Sequence, residues 1–149
     1  MAGVPAPALA AAPVLAVCGA IADAQVDGCR AFTLAQLQQM PQTSITTATP
    51  WHAQALTYSG VAAGVLLAAV KSRGQRLQLI ALNDYAVTVD AAQLVADGAI
   101  FAIARQGQPM PVSDKGPIFV MFPFDGDARL RTDRVYLQAV WQLCRIDIL

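Results

Sequence analysis

The chain has 149 residues, a length that suits one domain with a sizeable core. Ten acidic residues balance ten basic ones and no Lys/Arg-rich run occurs, which excludes the basic stripe that a nucleic-acid surface needs. Apolar residues outnumber charged ones 56% to 13%, so long segments are buried on both faces or one face meets a partner, unless alanine alone inflates the figure.

Residues 1–22 carry no charge, which is long enough to span a bilayer. Pro5, Pro7 and Pro13 argue against a spanning helix, because each removes a backbone donor and restrains its neighbour. No Lys or Arg precedes the apolar part, so this is not a complete signal peptide, although Ala8-Leu9-Ala10 resembles the small-residue end of one. Residues 1–13 are expected to be an export-signal remnant or a flexible N-terminus, and residues 14–149 the folded domain.

Val14–Ile21 is a short apolar run that reads as a strand, and Asp27-Gly28 marks a turn. Thr33–Gln39 reads as a short helix, capped by Thr33 and stopped by Pro41. Gln42–Thr49 is Thr-rich and extended, and Pro50 holds Thr49 out of helical geometry. Ala55–Ser59 is a strand and Ala62–Val70 a helix ending at Lys71, before Gly74. Arg76–Leu82 alternates before turning apolar, as a strand entering a core does. Asn83-Asp84 is a turn, Tyr85–Val89 a strand, and Asp90–Asp97 a helix capped by Asp90. Ala99–Arg105 is a strand, followed by a turn over Gln106-Gly107-Gln108-Pro109. Ile118–Phe122 is a buried strand. Val135–Leu149 is a long apolar tail with a strand at Leu143–Ile148. Many short strands with three short helices and no regular βαβ units predict a single α+β, β-rich domain with peripheral helices.

The three cysteines, Cys18, Cys29 and Cys144, form no CxxC, and no His lies at ligand spacing, so a zinc site is not expected. Cys18 and Cys29 flank a hairpin and are the pair that oxidation would favour. The alternative is three buried thiols in strands. One His, no GxSxG and no phosphate-cradling Gly loop argue against a hydrolase or a nucleotide-binding enzyme.

Five segments in order resemble the sulfite-oxidase-type molybdopterin-binding domain, over roughly residue 32 to the end. The first is Ile45–Trp51 with Gly60-Val61 and a helix after it. The others are Ala81–Tyr85, Ala102–Pro111, Gly116–Pro123 and Val140–Ile148. In that family a cysteine four residues before the tryptophan ligates molybdenum; here Thr47 stands at that position. A threonine hydroxyl is neither a soft ligand nor readily deprotonated. Thr47–Trp51, Asn83-Asp84-Tyr85, Asp114–Pro117 and Trp141-Gln142-Leu143 resemble a narrower group of small exported proteins that lack the cysteine. That resemblance implies a periplasmic protein that binds a reduced pterin and acts on the sensing region of a membrane-bound cyclic-di-GMP enzyme, a diguanylate cyclase or phosphodiesterase. It implies no catalysis, no metal and no tightly bound cofactor. The alternatives are a molybdopterin-dependent oxidoreductase without the usual cysteine, and an interaction domain with a vestigial pocket.

A pterin offers two flat faces and a guanidine-like edge, which call for aromatic rings and for a carboxylate or carbonyl. Trp51 and Tyr85 are the candidates for the faces, and Asp84, or Asp114 in its place, for the edge. Asn83 stands beside Asp84 in the same turn, and Lys115 could reach a hydroxyl group or a phosphate. Ser113, where the group often has an arginine, disfavours a phosphate and so favours an unphosphorylated pterin over molybdopterin. Thr47 and Thr49 could donate into the space left by the metal. Each residue has a structural alternative: Trp51 as core filling, Asn83-Asp84 as an ordinary turn, Asp114-Lys115 as a solvated loop, and the threonines as strand formers. His52 stands next to Trp51 and equally suits the surface. Arg129, Arg131, Arg134 and Asp125, Asp127, Asp133 form a mixed-charge loop.

Overall fold

The computed structural model describes residues 12–24 and 27–149. The expected 1–13 segment therefore lies largely outside the described residues. Among them the chain forms strands β1 (Pro13–Gly19), β2 (Cys29–Thr33), β3 (Thr43–Thr49), β4 (His52–Ala62), β5 (Arg76–Ala81), β6 (Ala86–Asp90), β7 (Ile100–Arg105), β8 (Gln108–Pro109), β9 (Phe119–Met121) and β10 (Leu143–Ile148). Its α-helices there are α1 (Leu34–Gln39), α2 (Ala63–Ala69), α3 (Ala91–Ala96) and α4 (Asp133–Gln138). None is long and apolar enough to cross a membrane.

The strands form two sheets. One has the order β2-β1-β10-β5-β6, antiparallel except where β1 runs parallel to β10. The other has the order β3-β4-β7-β8, with β9 also paired to β7. Alternation decides which side of each strand is buried: along β5, Leu77, Leu79 and Ala81 face inward between Arg76, Gln78 and Ile80. The inward residues of both sheets join one core that includes Val17, Leu79 and Ile146 from the first and Val61, Phe101 and Phe119 from the second. This is the expected mixed α+β, β-rich domain.

Local chemistry sets the helix ends. Thr33 Oγ1 accepts from Gln36 N while Gln36 Oε1 accepts from Thr33 N, a reciprocal capping box. Asp90 caps α3 by accepting from Gln93 N at 3.0 Å.

Two expectations need correction, the extent of one strand and the start of the C-terminal tail. The strand expected at Ala55–Ser59 is β4, eleven residues from His52 to Ala62. Its exposed first half, with small and polar side chains, lacks the apolar alternation that marks a strand. Gly60-Val61 lies near the end of that strand, with the expected helix after it. A Cβ on Gly60 would lie 2.0 Å from Phe101 O, so only glycine allows the approach of β7 there. As expected, the helix α2 ends by Lys71, which at φ 54 supplies the left-handed residue, and Gly74 beyond it packs against the Leu149 carbonyl. The Val135–Leu149 tail begins inside a fourth helix, α4, capped by Thr132.

Cys18 and Cys29 face each other across β1 and β2 and form a disulfide, while Cys144 remains a free thiol. The plainer alternative of three free thiols is thereby corrected. The hairpin register places these two side by side, which residue type alone does not reveal.

Candidate functional site

The connections that carry the candidate residues converge around Trp51. The β3–β4 turn supplies Thr49 and Trp51, the β5–β6 turn supplies Asn83 and Tyr85, and the segment after α4 supplies Trp141. Gln142, in a left-handed conformation at φ 56, stitches these loops together. Its amide donates to Lys115 O, its side chain donates to Val112 O, and its carbonyl accepts from Leu82 N.

Trp51 sits in an aromatic cluster. Its ring centroid lies 5.4 Å from Trp141, 5.9 Å from Phe119 and 6.3 Å from Tyr136, all at tilted or edge-on angles. Phe119 is buried beneath it and also meets Tyr58 edge-on at 5.7 Å. On one side of Trp51 opens a cleft of about 300 Å³, lined by Trp51, Asn83, Tyr85, Tyr136, Trp141 and the apolar stretch Leu137–Val140 apart from Gln138. The Tyr85 hydroxyl donates to Leu137 O at 2.8 Å and ties the two walls together. Asn83 Oδ1 accepts from Tyr85 N, leaving its NH₂ group toward the cleft rim as an unengaged donor among the described residues.

On the other side of Trp51 is a charged niche of only about 20 Å³, lined by Thr49, His52, Tyr58, Arg105, Asp114, Lys115 and Phe119. Arg105 pairs with Asp114 at 2.6 Å, and Lys115 lies 3.5 Å from the same carboxylate. Lys115 Nζ also stands 4.9 Å from the Trp141 ring centroid, a cation–π contact. Desolvation pushes the Asp114 carboxyl up, but Arg105 and Lys115 outweigh it by charge and hydrogen bond, so it titrates below the usual carboxylate range. Burial raises the Tyr58 hydroxyl above its ordinary value, with Arg105 opposing and Asp114 adding to the effect.

The predicted residues thus divide. Trp51, Asn83 and Tyr85 line the cleft; Thr49, Asp114 and Lys115 line the niche. Asp84 occupies the tip of its turn at φ 69, exposed, between two cleft residues but off the cleft lining. Thr49 Oγ1 accepts from His52 N and so closes the β3–β4 turn. Thr47 is buried, 1% exposed, and lines neither space. Its hydroxyl donates to Ala48 O at 2.8 Å and accepts from Asp125 N at 3.0 Å. Asp125 completes the clasp by accepting from Ala48 N at 2.9 Å. Both hydrogen-bonding roles of the hydroxyl are therefore occupied by backbone.

A metal held at Thr47 does not fit this arrangement. The side chain is a hydroxyl, its proton and a lone pair are engaged, and among the described residues no group of three or more His, Cys, Asp or Glu side chains could hold an ion. Cys144 is no substitute. It lines a different depression with Pro13, Leu82, Val112 and Pro117, and burial followed by the charge of Asp84 raises its thiol.

Trp141, Tyr136 and Arg105 complete the two spaces and were not among the predicted site residues. Trp141 had a signal in the Val140–Ile148 segment and in Trp141-Gln142-Leu143. Tyr136 lies in the unpredicted helix, and Arg105 at the end of a strand carried no mark of its own. A larger open groove of about 810 Å³ runs between α2 and α3, lined mainly by alanine and aliphatic side chains, and holds none of the candidate residues.

No family model matches the chain, and no curated protein matches it. Among solved structures, the chain is similar to the sulfane dehydrogenase SoxCD from Paracoccus pantotrophus, with a TM-score of 0.63 and 15% identity. The match covers 90% of this chain and 37% of that one, so this chain spans little more than a third of its neighbour's length. The likeness is one of fold: the domain shares the architecture of the matched part of that neighbour.

Proposed function

We propose that the cleft beside Trp51 binds a reduced pterin, and that the protein is a non-catalytic periplasmic regulator of the narrower, cysteine-less group described above. The observation that carries this is the chemistry of the cleft lining. It presents the rings of Trp51, Trp141, Tyr136 and Tyr85 with an amide and hydroxyls, and no carboxylate, thiol, imidazole or amine. Such a lining can sandwich and orient a flat heterocycle, but it offers no strong acid or base to transform one. Its volume of about 300 Å³ suits a two-ring ligand better than a pterin carrying a metal and a phosphate. The Asp84 carboxylate, exposed on the turn between Asn83 and Tyr85, is the group to accept from the guanidine-like edge, because Asp114 is already held by Arg105 and Lys115.

Occupancy would be relayed by population shift. Tyr85 and Leu137 join across the cleft mouth and are both exposed, so a ligand that orders them alters a surface a partner can read. The partner is the periplasmic sensing region of a membrane-bound cyclic-di-GMP enzyme. The Cys18–Cys29 disulfide suits an oxidising compartment.

Calorimetric titration with tetrahydropterin tests this. Saturable binding is expected, and Trp51→Ala should weaken it by about 1–3 kcal/mol, or roughly 5- to 150-fold in Kd. No heat of binding at high micromolar ligand, with the wild-type protein folded, would sink the proposal.

A further inference from the structure

The structure assigns a second interaction surface, independent of the cleft: the outer edge of β3, which we propose pairs with the β3 of a second copy of this chain. Among the described residues β3 is the edge strand of its sheet, with β4 on one side and no strand on the other.

The direction of its backbone groups follows from two bonds. Ala48 N–H meets the Asp125 carboxylate and so points away from β4. Ala48 lies at a register irregularity between Thr47 and Thr49, so the direction at Thr46, and with a period of two at Ser44, is read from the opposite strand. Thr57 O accepts from Gln106 N on its β7 side, so Thr46 and Thr57 do not exchange backbone bonds. They form a non-hydrogen-bonded pair, in which side chains approach closely, and their hydroxyls lie 2.8 Å apart. Among the described residues nothing bonds the Ser44 or Thr46 amides, whereas at Ala48 the Asp125 turn closes the edge.

Exposed edges are ordinarily guarded by charge, proline or a covering element. β2 carries Arg30 and β6 ends in Asp90, but Thr43–Thr49 contains neither a charge nor a proline. It is also rich in β-branched residues, which favour pairing.

The strand is complementary to itself. With Ile45 facing its own counterpart on a two-fold axis, Ser44 meets the second copy's Thr46, and Thr46 meets its Ser44. Each of these pairs exchanges two main-chain bonds, and the register stops short of the Asp125 cap. Hydroxyls of Ser44 and Thr46 meet hydroxyls on the exposed face, Ile45 and Thr47 stay buried in their own domain on the other, and no charge is opposed.

The test is sedimentation and amide hydrogen exchange on the full chain, from about 20 µM to about 1 mM protein. A monomer-to-dimer shift is expected. Protection of the Ser44 and Thr46 amides should rise about ten-fold with it while that of Ile45, already bonded to β4, stays constant. Thr46→Pro removes an outward donor without breaking a main-chain bond, giving up besides only the hydroxyl contact to Thr57, and Ser44→Lys adds an edge charge. Each should hold the protein monomeric at the highest concentration. A wild-type monomer throughout, or a dimer that survives both substitutions, would overturn the assignment, and capture of an unrelated strand by a monomeric edge would count as the first of these.

Discussion

Trp51 divides two spaces that the sequence places side by side but that differ in kind. On the Tyr85 side the polar groups are few and the rings leave about 300 Å³ open. On the Arg105 side the charged groups Arg105, Asp114 and Lys115 satisfy one another and leave about 20 Å³. A charged cluster is therefore not the more functional half by virtue of its charge. Binding capacity lies where faces and donors are left unmatched. The ion pairs of the niche instead fix the loop that carries Lys115 against Trp141, and so hold one wall of the cleft.

The strongest way to break this division is to remove what both sides stand on. Phe119 is 1% exposed and touches Trp51, Tyr58 and Trp141. Phe119→Ala leaves a cavity beneath all three rings and should lower the free energy of unfolding by about 3–5 kcal/mol. Chemical denaturation checks this. If the cleft is held from below, pterin binding should weaken in the same variant; unchanged affinity would mean that the niche alone sets the wall.

How much of this was legible in the chain depends on the range of the interactions. Strands such as β5 and caps such as Asp90 rest on neighbours within a few residues, and periodicity and residue type reveal them. β4 was read too short because His52-Ala53-Gln54 are exposed and bury no face; of the three, His52 pairs with β3, opposite Thr49 and beyond a register irregularity. α4 was missed because Asp133 and Arg134 read as part of a charged loop, although Thr132 caps them. At the site, Trp51, Asn83 and Tyr85 stood out through their motifs. The meeting of Trp51 with Trp141 and Tyr136 is a tertiary fact, and no local pattern announces it. Thr47 marked the right segment for a different reason: it replaces a ligand in the resembled family, yet in the fold it fastens β3 to the turn at Asp125.

That distinction gives a smaller, sharper test. Thr47→Val keeps the shape and the β-branching but removes the acceptor for Asp125 N–H. Leaving that donor unmatched should cost about 1–3 kcal/mol of stability. Because Thr47 lines neither space, pterin affinity should stay within about two-fold of wild type, well under the loss of one hydrogen bond. A large loss of affinity at preserved stability would place Thr47 in the cleft after all.

The smallest expected effect concerns the niche alone. Asp114 has a folded-state pKa below its ordinary 3.8, because Arg105 and Lys115 together outweigh desolvation. A depressed carboxylate pKa contributes stability that is present above the unfolded value and lost as pH falls through the folded one. Wild type should therefore exceed Asp114→Asn in stability at neutral pH, and the gap should close below 3.8 as the carboxylate takes up its proton. The side chain is 54% exposed, so water and salt screen the pair and the gap is modest, shrinking further as ionic strength rises. Thermal unfolding across that window, at low and high salt, measures it. The comparison of the two sides turns on what happens to binding meanwhile. If the niche acts only by steadying Lys115 against Trp141, Asp114→Asn lowers pterin affinity slightly and in parallel with stability. If the niche itself held part of the ligand, affinity would fall at neutral pH by far more than stability does.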